Sequence, residues 1–338
     1  MFYQFLSIFD RRQPGDDLFH ELNASSVPVT SVDCHEEYPS RFNIDTTSQL
    51  LGTVKSYRRQ VFISTGQSDW DREVTDTPGS LAALLLSVQD IPSVRTSPRP
   101  SDKTVQTLAS GLLTPTDSCK ISILNASHHS VSNNDANETV LVFPDYKLVT
   151  DVHRTIDSAR ELWHSVLNPT IGRIGVLQFK SAFKSWVLPY ACVILLCSHR
   201  KRDKRCGIAA PKLEQAFVHY LGLHGWHVDT DIDPAICHDT ALEDVGQDLE
   251  RQQNDTLRES LKSERALILF TSHIGGHKFA GNCIIYTPQG SCIWYGRVTP
   301  HEVESIVTST IIGGVVLPSL LRGGLNISRP GCKTLHDW

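Results

Sequence analysis

Two cysteines and two histidines in this chain have the types and the spacing to build one metal site. Cys197 and Cys206 are separated by eight residues in CSHRKRDKRCG, and His273 and His277 are separated by three in TSHIGGHKFAGN. On a helix, the histidine spacing places both imidazoles on one face. The two glycines between them would cost about 2 kcal/mol in a helix interior, so we predict a tight loop instead.

The segments around these residues indicate the elements that position them. YACVILLC is a continuous apolar run, which indicates a buried strand that ends at Cys197. ALILFT indicates a second buried strand, which leads directly towards His273. Between the two strands, the pattern predicts a helix in APKLEQAFVHYLGLHG that stops at Gly225, a strand over 226–230 and a polar helix over about 240–263.

The segments that follow complete an order of β-α-β-α-β-β-α. NCIIYTPQGSCIWYG predicts a hairpin that turns at 288–290, and Thr299 and Glu302 form a capping box at the start of a last helix. Strands joined by crossover helices predict a parallel core, to which the hairpin adds an antiparallel edge. The first and third strands then end at the same edge of the sheet, so we expect the cysteines and histidines to converge there.

Three kinds of centre are compatible with these side chains. Zinc accepts thiolates and imidazoles, but structural zinc sites usually take cysteines two to four residues apart. A [2Fe–2S] cluster is larger and accepts more widely spaced ligands, and two histidines in place of two cysteines on one iron is the Rieske arrangement. In a thiol–disulfide protein, Cys197 and Cys206 would react directly, although the usual Cys-x-x-Cys spacing is missing.

Several of these motifs resemble one known family. CSHRKRDKRCG, HIGGHKFAGN, WYGRVTP and LLRGG resemble the sucrase/ferredoxin-like family of thioredoxin-like [2Fe–2S] ferredoxins over about 185–324. STGQSDW, PGSLA and VLVFPDYKLV extend the resemblance more weakly into the first half of the chain. The ligand motifs of the family, Cys-x8-Cys and His-x-Gly-Gly-His, fall on Cys197, Cys206, His273 and His277.

The resemblance implies a cofactor and a role. We expect one [2Fe–2S] cluster, with the cysteines on one iron and the histidines on the other, in an electron carrier of cellular redox homeostasis rather than an enzyme. Many family members also carry a cysteine-rich stretch near the N-terminus, of which only Cys34 is present here.

Other residues are expected to surround the site. Phe279 and Trp294 are predicted to pack around it. Four cations are predicted to lie in the loop between the cysteines: Arg200, Arg202, Lys204 and Arg205. Positive charge there favours thiolates and a reduced, more negative cluster.

The first half of the chain is less regular. Gln60 to Ser64 and Val140 to Phe143 indicate strands, whereas the region 92–138 is rich in Ser, Thr, Asn and Pro and predicts a disordered insertion. No internal repeat of fixed period is visible. The predicted organisation is an N-terminal extension over 1–30, an N-terminal α/β domain over 31–165, the thioredoxin-like domain over 185–324 and a C-terminal tail over 325–338.

Composition and chain ends bear on partners and location. The chain has 338 residues, a formal net charge of -5 and no long apolar run, so we expect neither nucleic-acid binding nor a membrane span. MFYQFLSIFDRRQPGDD lacks the marks of a secretory signal and carries early acids that oppose a mitochondrial presequence. We expect an intracellular protein, cytoplasmic with mitochondrial as the alternative.

The chain ends in LHDW. Its last residues, Asp337 and Trp338, resemble the tails by which clients of the cytosolic iron–sulfur assembly machinery are recognised. The sequence predicts this partner and leaves the electron donor and acceptor open.

Overall fold

Apolar runs in the sequence form the central strands of one large β-sheet. The computed structural model describes residues 38–89, 112–114, 118–173 and 183–338, and within them the chain is a mixed α/β structure. The strands are β1 (Arg59–Ser64), β2 (Leu112–Leu113), β3 (Ile121–Ala126), β4 (Asn137–Phe143), β5 (Lys147–His153), β6 (Lys184–Val187), β7 (Cys192–Cys197), β8 (His227–Asp229), β9 (Arg265–Thr271), β10 (Cys283–Tyr286), β11 (Cys292–Tyr295) and β12 (Leu321–Leu325). Their order across the sheet is β2-β12-β11-β10-β7-β9-β3-β1-β4-β5-β6, and β8 also pairs with β9.

Helices cover both faces of this sheet. They are α1 (Leu81–Val88), α2 (Ile156–Leu162), α3 (Lys204–Leu223), α4 (Leu249–Leu261) and α5 (Pro300–Ser305), and α2 and α5 continue as π-helical segments over Trp163–Leu167 and Ile306–Ile312. Short 3-10 turns lie at Pro234–His238, Leu242–Asp244, Gly246–Asp248 and His277–Phe279. Of the helices that the structure describes, none has the length and apolarity needed to span a bilayer.

Strand β7 shows why its sequence is apolar throughout. Ile194 and Leu196 pack in the cluster that contains α3 and the α5 segment, whereas Val193 and Leu195 pack in the cluster that contains α4. Successive side chains of a strand point to opposite faces, so a strand covered on both faces has to be apolar at every position. The run YACVILLC therefore encodes a central strand.

The predicted order of elements in the second half is confirmed. The elements β7, α3, β8, α4, β9, β10, β11 and α5 follow one another as β-α-β-α-β-β-α requires. Strand β9 lies parallel to both β7 and β8, and β10 and β11 form the predicted antiparallel hairpin. The capping box between Thr299 and Glu302 is also present at the start of α5.

Two predictions about local structure are wrong. Helix α3 begins earlier than its apolar pattern suggests, because Asp203 accepts a hydrogen bond from the Arg205 backbone N–H and caps the helix at Lys204. The predicted disordered insertion over 92–138 contains the strand β3, whose Ile121 and Leu124 are buried beside β1. The run ISIL is short and lies between polar segments, so the sequence gives little indication of a strand there. Residues 92–111 and 115–117 lie outside the described residues.

The two halves of the sheet repeat the same pattern of strand pairing. In the second half, β7 is parallel to β9 and antiparallel to β10, β10 is antiparallel to β11, and β11 is antiparallel to β12. In the first half, β1 is parallel to β3 and antiparallel to β4, β4 is antiparallel to β5, and β5 is antiparallel to β6. Helices α1 and α2 occupy the connections that correspond to α3 and α5. The chain therefore contains one arrangement twice.

The two halves meet where β3 and β9 run antiparallel, with Ala126 opposite Thr271. The contacts there are reciprocal, because the Ser127 Oγ accepts from the Phe270 N–H at 3.0 Å and the Ser272 Oγ accepts from the Asn125 N–H at 3.0 Å. A local two-fold axis thus relates ASH at the end of β3 to TSH at the end of β9. This relation places His128 at the position that corresponds to His273.

His128 makes the stability of the fold depend on pH. The ring is fully buried with Nε2 at 3.2 Å from the Thr139 carbonyl oxygen, and burial lowers the pKa of His128 to about 4. In the unfolded chain its pKa returns to about 6.5, so the unfolded state binds the proton first as the pH falls. We expect the free energy of unfolding to fall by up to about 3 kcal/mol between pH 6.5 and pH 4.

Urea denaturation across this pH range, compared with His128→Gln, measures the effect. The glutamine amide can still donate to Thr139 but does not titrate, so the variant should have a flatter pH profile. An equal slope in both proteins would assign the pH dependence to other groups.

Candidate metal centre

The register of β7 on β9 places the two predicted pairs of residues at one edge of the sheet. Cys197 lies opposite Thr271, so both strands end at the same level. The chain leaves β7 through Ser198 and enters α3, while it leaves β9 through Ser272 and reaches His273. The Ser198 N–H donates to the Thr271 carbonyl oxygen at 3.1 Å, which holds the two exits together.

Three of the four predicted residues come into direct proximity. The sulfur atoms of Cys197 and Cys206 and a ring nitrogen of His273 all lie within 4.8 Å of one another. Both cysteines are buried, and Cys206 lies in the first turn of α3. These three side chains thus converge as predicted, although the elements that carry them are far apart in the sequence.

His277 lies beside this group, towards solvent. Its ring centroid is 5.3 Å from that of His273, and its side chain is exposed. Gly275 and Gly276 have φ angles of +80° and +69°, the left-handed conformation that glycine adopts without strain. The glycines therefore form the tight loop that the sequence predicts, and this loop turns both imidazoles to one side.

A hydrogen bond joins the two sulfur atoms. Cys206 donates a hydrogen bond to Cys197, which lowers the pKa of Cys197 well below its usual value, and the His273 imidazole and the Ile274 N–H lower it further. The same hydrogen bond and burial raise the pKa of Cys206. This lowered pKa favours the thiolate form of Cys197, and metal binding displaces the remaining thiol proton.

His199 fixes the backbone of the histidine loop. Its Nδ1 accepts a hydrogen bond from the His273 N–H at 3.1 Å, so the proton of the neutral ring is on Nε2, which donates to the Trp70 carbonyl oxygen at 2.9 Å. The ring is buried and packs edge-on against Trp70. His199 is not among the residues predicted from the sequence, although it lies two positions after Cys197 in CSHRKRDKRCG.

The cations predicted between the cysteines do not form a free positive loop. Lys204 and Arg205 lie in the first turn of α3, because the helix begins at Lys204. Arg205 pairs with Asp203 at 2.8 Å, and Arg202 pairs with Glu73. Carboxylates thus neutralise two of the four charges, so the segment between the cysteines carries less net positive charge than the sequence predicts.

A different arginine lies beneath the loop. Arg322 in β12 is 1% exposed, and its Nη1 donates to the Gly275 carbonyl oxygen at 3.2 Å and to Asn282 Oδ1 at 2.9 Å. Phe279 and Trp294 cover its guanidinium, each with a ring centroid 5.6 Å from Cζ. The sequence signal of this residue is a single arginine inside the apolar segment VVLPSLLRGGL, in which LLRGG also belongs to a family motif.

The donor set fits a metal ion or a metal cluster. Two thiols and two imidazoles are ligands that zinc and iron–sulfur centres both accept. The Nδ1 atom of His273 is buried without a hydrogen-bond partner, which is unfavourable unless a ligand satisfies it. Partial desolvation at the edge of the site lowers the pKa of His277, which favours the neutral imidazole that metals require.

Comparison with known proteins identifies relatives of this chain. The profile of the family described as Sucrase/ferredoxin-like matches residues 50–323. Actin patches distal protein 1 of Saccharomyces cerevisiae is 28% identical over 305 residues, which cover 88% of this chain and 83% of that protein. Altered inheritance of mitochondria protein 32 of Meyerozyma guilliermondii is 25% identical over 283 residues, which cover 77% of this chain and 86% of that protein.

A protein of the same name from Clavispora lusitaniae is 32% identical over 131 residues, which cover 39% of this chain and 34% of that protein. No solved structure matches this chain. The match over 50–323 includes most of the sheet and all four predicted site residues. The chain therefore belongs to the sucrase/ferredoxin-like family.

Proposed function

We propose that this protein binds one [2Fe–2S] cluster and passes single electrons, as a carrier in cellular redox homeostasis. The observation that carries the proposal is the convergence of Cys197, Cys206 and His273 within 4.8 Å, next to His277, in a member of a ferredoxin-like family. A bound cluster would supply reversible one-electron chemistry. The protein supplies the ligands, their orientation and the surrounding charge.

Each proposed ligand has a role that follows from its surroundings. Cys197 and Cys206, which are buried, bind one iron as thiolates and exclude water from that side. His273 and His277 bind the other iron as neutral imidazoles. Because His277 is exposed, its outer N–H could exchange a proton with water, and this edge would bring a bound cluster closest to a redox partner.

The order of elements supports a thioredoxin-like assignment for the region 185–324. The parallel pair of β7 and β9, the helix α3 between them and the hairpin of β10 and β11 follow the order that thioredoxin-like folds have. We propose the region predicted as 185–324 as the cluster domain and 31–165 as the N-terminal α/β domain, with extensions over 1–30 and 325–338. Because β6 pairs with β5, we propose that the N-terminal domain continues through β6 and that the cluster domain begins at β7.

The absorption spectrum of anaerobically purified protein tests the function. A cluster gives a red-brown protein with about two irons and two sulfides per chain. A colourless protein that contains zinc would instead establish a zinc-stabilised module. A colourless protein without metal would favour a thiol–disulfide protein, for which the 1% and 2% exposure of the two cysteines is unfavourable because a substrate disulfide has to reach the attacking sulfur.

We also propose that the C-terminus engages the iron–sulfur assembly machinery. Trp338 is 46% exposed, whereas the Asp337 carboxylate accepts hydrogen bonds from the Lys333 and Thr334 N–H groups and holds the preceding turn. The indole is therefore the group most available to a partner, although the Arg258 guanidinium lies 5.4 Å from its centroid. By the same proposal the protein is cytoplasmic. A mitochondrial location is the alternative, which the name of the Meyerozyma relative suggests.

Trp338→Ala is expected to lower the iron content of protein purified from cells by several-fold. The same variant should accept a cluster normally when it is reconstituted in vitro, because the substitution leaves the Asp337 turn intact. Wild-type iron content in cells would show that this tail is not a recognition signal.

A further inference from the structure

Arg322 is a buried cation without an acidic partner. Its Nε donates to Thr53 Oγ1 at 3.2 Å, and its other hydrogen bonds go to the neutral oxygen atoms of Gly275, Asn282 and Thr53. In the described part of the chain, no Asp or Glu forms an ion pair with it. An uncompensated buried charge costs several kcal/mol, so a native structure retains one only where something offsets that cost.

The arginine holds the loop between the two histidines. Besides its bond to the Gly275 carbonyl oxygen, it orients Asn282, whose Nδ2 donates to the Gly276 carbonyl oxygen at 3.0 Å. A Cβ atom added at Gly276 would lie 2.3 Å from Nη2 of Arg322, whereas one added at Gly275 would meet nothing within 4 Å. The loop backbone thus lies directly on the guanidinium.

The acidic groups that act electrostatically on Arg322 are the two cysteines. Burial lowers the pKa of Arg322 to about 10, while the electrostatic influence of Cys197 and Cys206 raises it. The guanidinium is therefore still charged at neutral pH, and the two sulfur atoms are its electrostatic counterpart. Phe279 and Trp294 cover the buried guanidinium, so solvent screens its charge weakly.

We propose that Arg322 is the positioning residue and the buried counter-charge of the metal centre. It holds the backbone between His273 and His277 and compensates the negative charge of the thiolate-bound centre. This inference rests on the proposed function. It assigns to β12 the electrostatic role that the sequence suggested for the cations between the cysteines.

The proposal has a consequence for the reduction potential. Reduction adds one negative charge to the centre, and a fixed cation in a site of low dielectric favours the more negative state. In Arg322→Met, which removes the charge and keeps an apolar side chain of similar length, the midpoint potential should fall by at least about 59 mV, equivalent to a tenfold change for a one-electron couple. Iron should also be lost to a chelator at least about tenfold faster.

Arg322→Lys separates charge from position. It keeps the cation, so the midpoint potential should stay closer to wild type, but it cannot reproduce the planar guanidinium contacts, so iron should still be lost faster. Equal potential shifts in the lysine and methionine variants would overturn the role of charge. If Arg322→Met does not fold, Arg322→Gln replaces it, since its amide can donate to Gly275.

Arg297→Met is the matched control. This guanidinium lies 5.3 Å from the Phe279 centroid but donates to the Asp45 and Ser48 carbonyl oxygens instead of the histidine loop. It should shift the potential less than Arg322→Met, and an equal shift would overturn the inference. Wild-type protein without iron would overturn the proposed function, whereas an iron-loaded Arg322→Met with wild-type potential would overturn only the inference.

Discussion

Replacing Cys197 or Cys206 with serine is expected to remove most of the iron and the visible absorption of the purified protein. The neutral hydroxyl of serine is a poor ligand where a thiolate is required, and each sulfur lies within 4.8 Å of the other and of His273. We expect iron content to fall by about tenfold or more, because even residues that only support a metal ligand change affinity about 10–100-fold.

Cys192→Ser is the matched control for this experiment. Cys192 lies at the other end of β7 and is 2% exposed, so its substitution perturbs the same strand and the same core. Burial raises the pKa of Cys192 to about 12, and its place at the opposite end of the strand from Cys197 keeps it out of the ligand group. Full iron in Cys197→Ser or Cys206→Ser, or equal losses in all three variants, would contradict the assignment of the ligands.

The strands and helices that carry the site could be predicted because their sequences repeat one signal over many residues. The run that became β7 is apolar on both faces, and the capping box at Thr299 is a local pattern that needs no tertiary contact. The convergence of Cys197 with His273 followed from topology alone, since parallel strands end at the same edge.

The features that escaped prediction depend on contacts between distant segments. The strand β3 is recognisable only through its pairing with β1, because six residues between polar segments carry little periodic signal. The repeated strand pairing leaves little trace in the sequence beyond ASH and TSH, which are too short to stand out. Ser64 now occupies the position that corresponds to Cys197, so the first half keeps the arrangement but not the ligands.

The buried charges show the same limit. An arginine in a sequence does not by itself indicate burial, so Arg322 and Arg59, each 1% exposed, could not be predicted as core residues. The arginines that the sequence did single out lie at the surface or in the first turn of α3, where carboxylates neutralise two of them. A buried arginine can appear in the sequence as a single cation inside an otherwise apolar segment. That signal becomes specific only when the group that the arginine contacts is known.

Arg59 has the acidic partner that Arg322 lacks. Its Nε and Nη2 each donate to the Asp145 carboxylate at 2.9 Å, and both side chains are at most 5% exposed. Lys147 is also buried near this pair, and burial lowers the pKa of Lys147 to about 8 while Asp145 raises it. The Asp145 carboxylate therefore acts on more than one buried cation.

Asp145→Asn is expected to lower the free energy of unfolding by about 3–5 kcal/mol, because it leaves the Arg59 guanidinium buried without its counter-ion. Urea denaturation at neutral pH measures the change. Asp157→Asn is the control, since Asp157 pairs with Arg160 at 3.1 Å on the surface and is 88% exposed, and removal of such a pair costs less than about 1 kcal/mol. A loss below about 1 kcal/mol in Asp145→Asn would mean that the carbonyl oxygens of Asn168, Ile171 and Gly172, which also accept from Arg59, are sufficient to hold the buried charge.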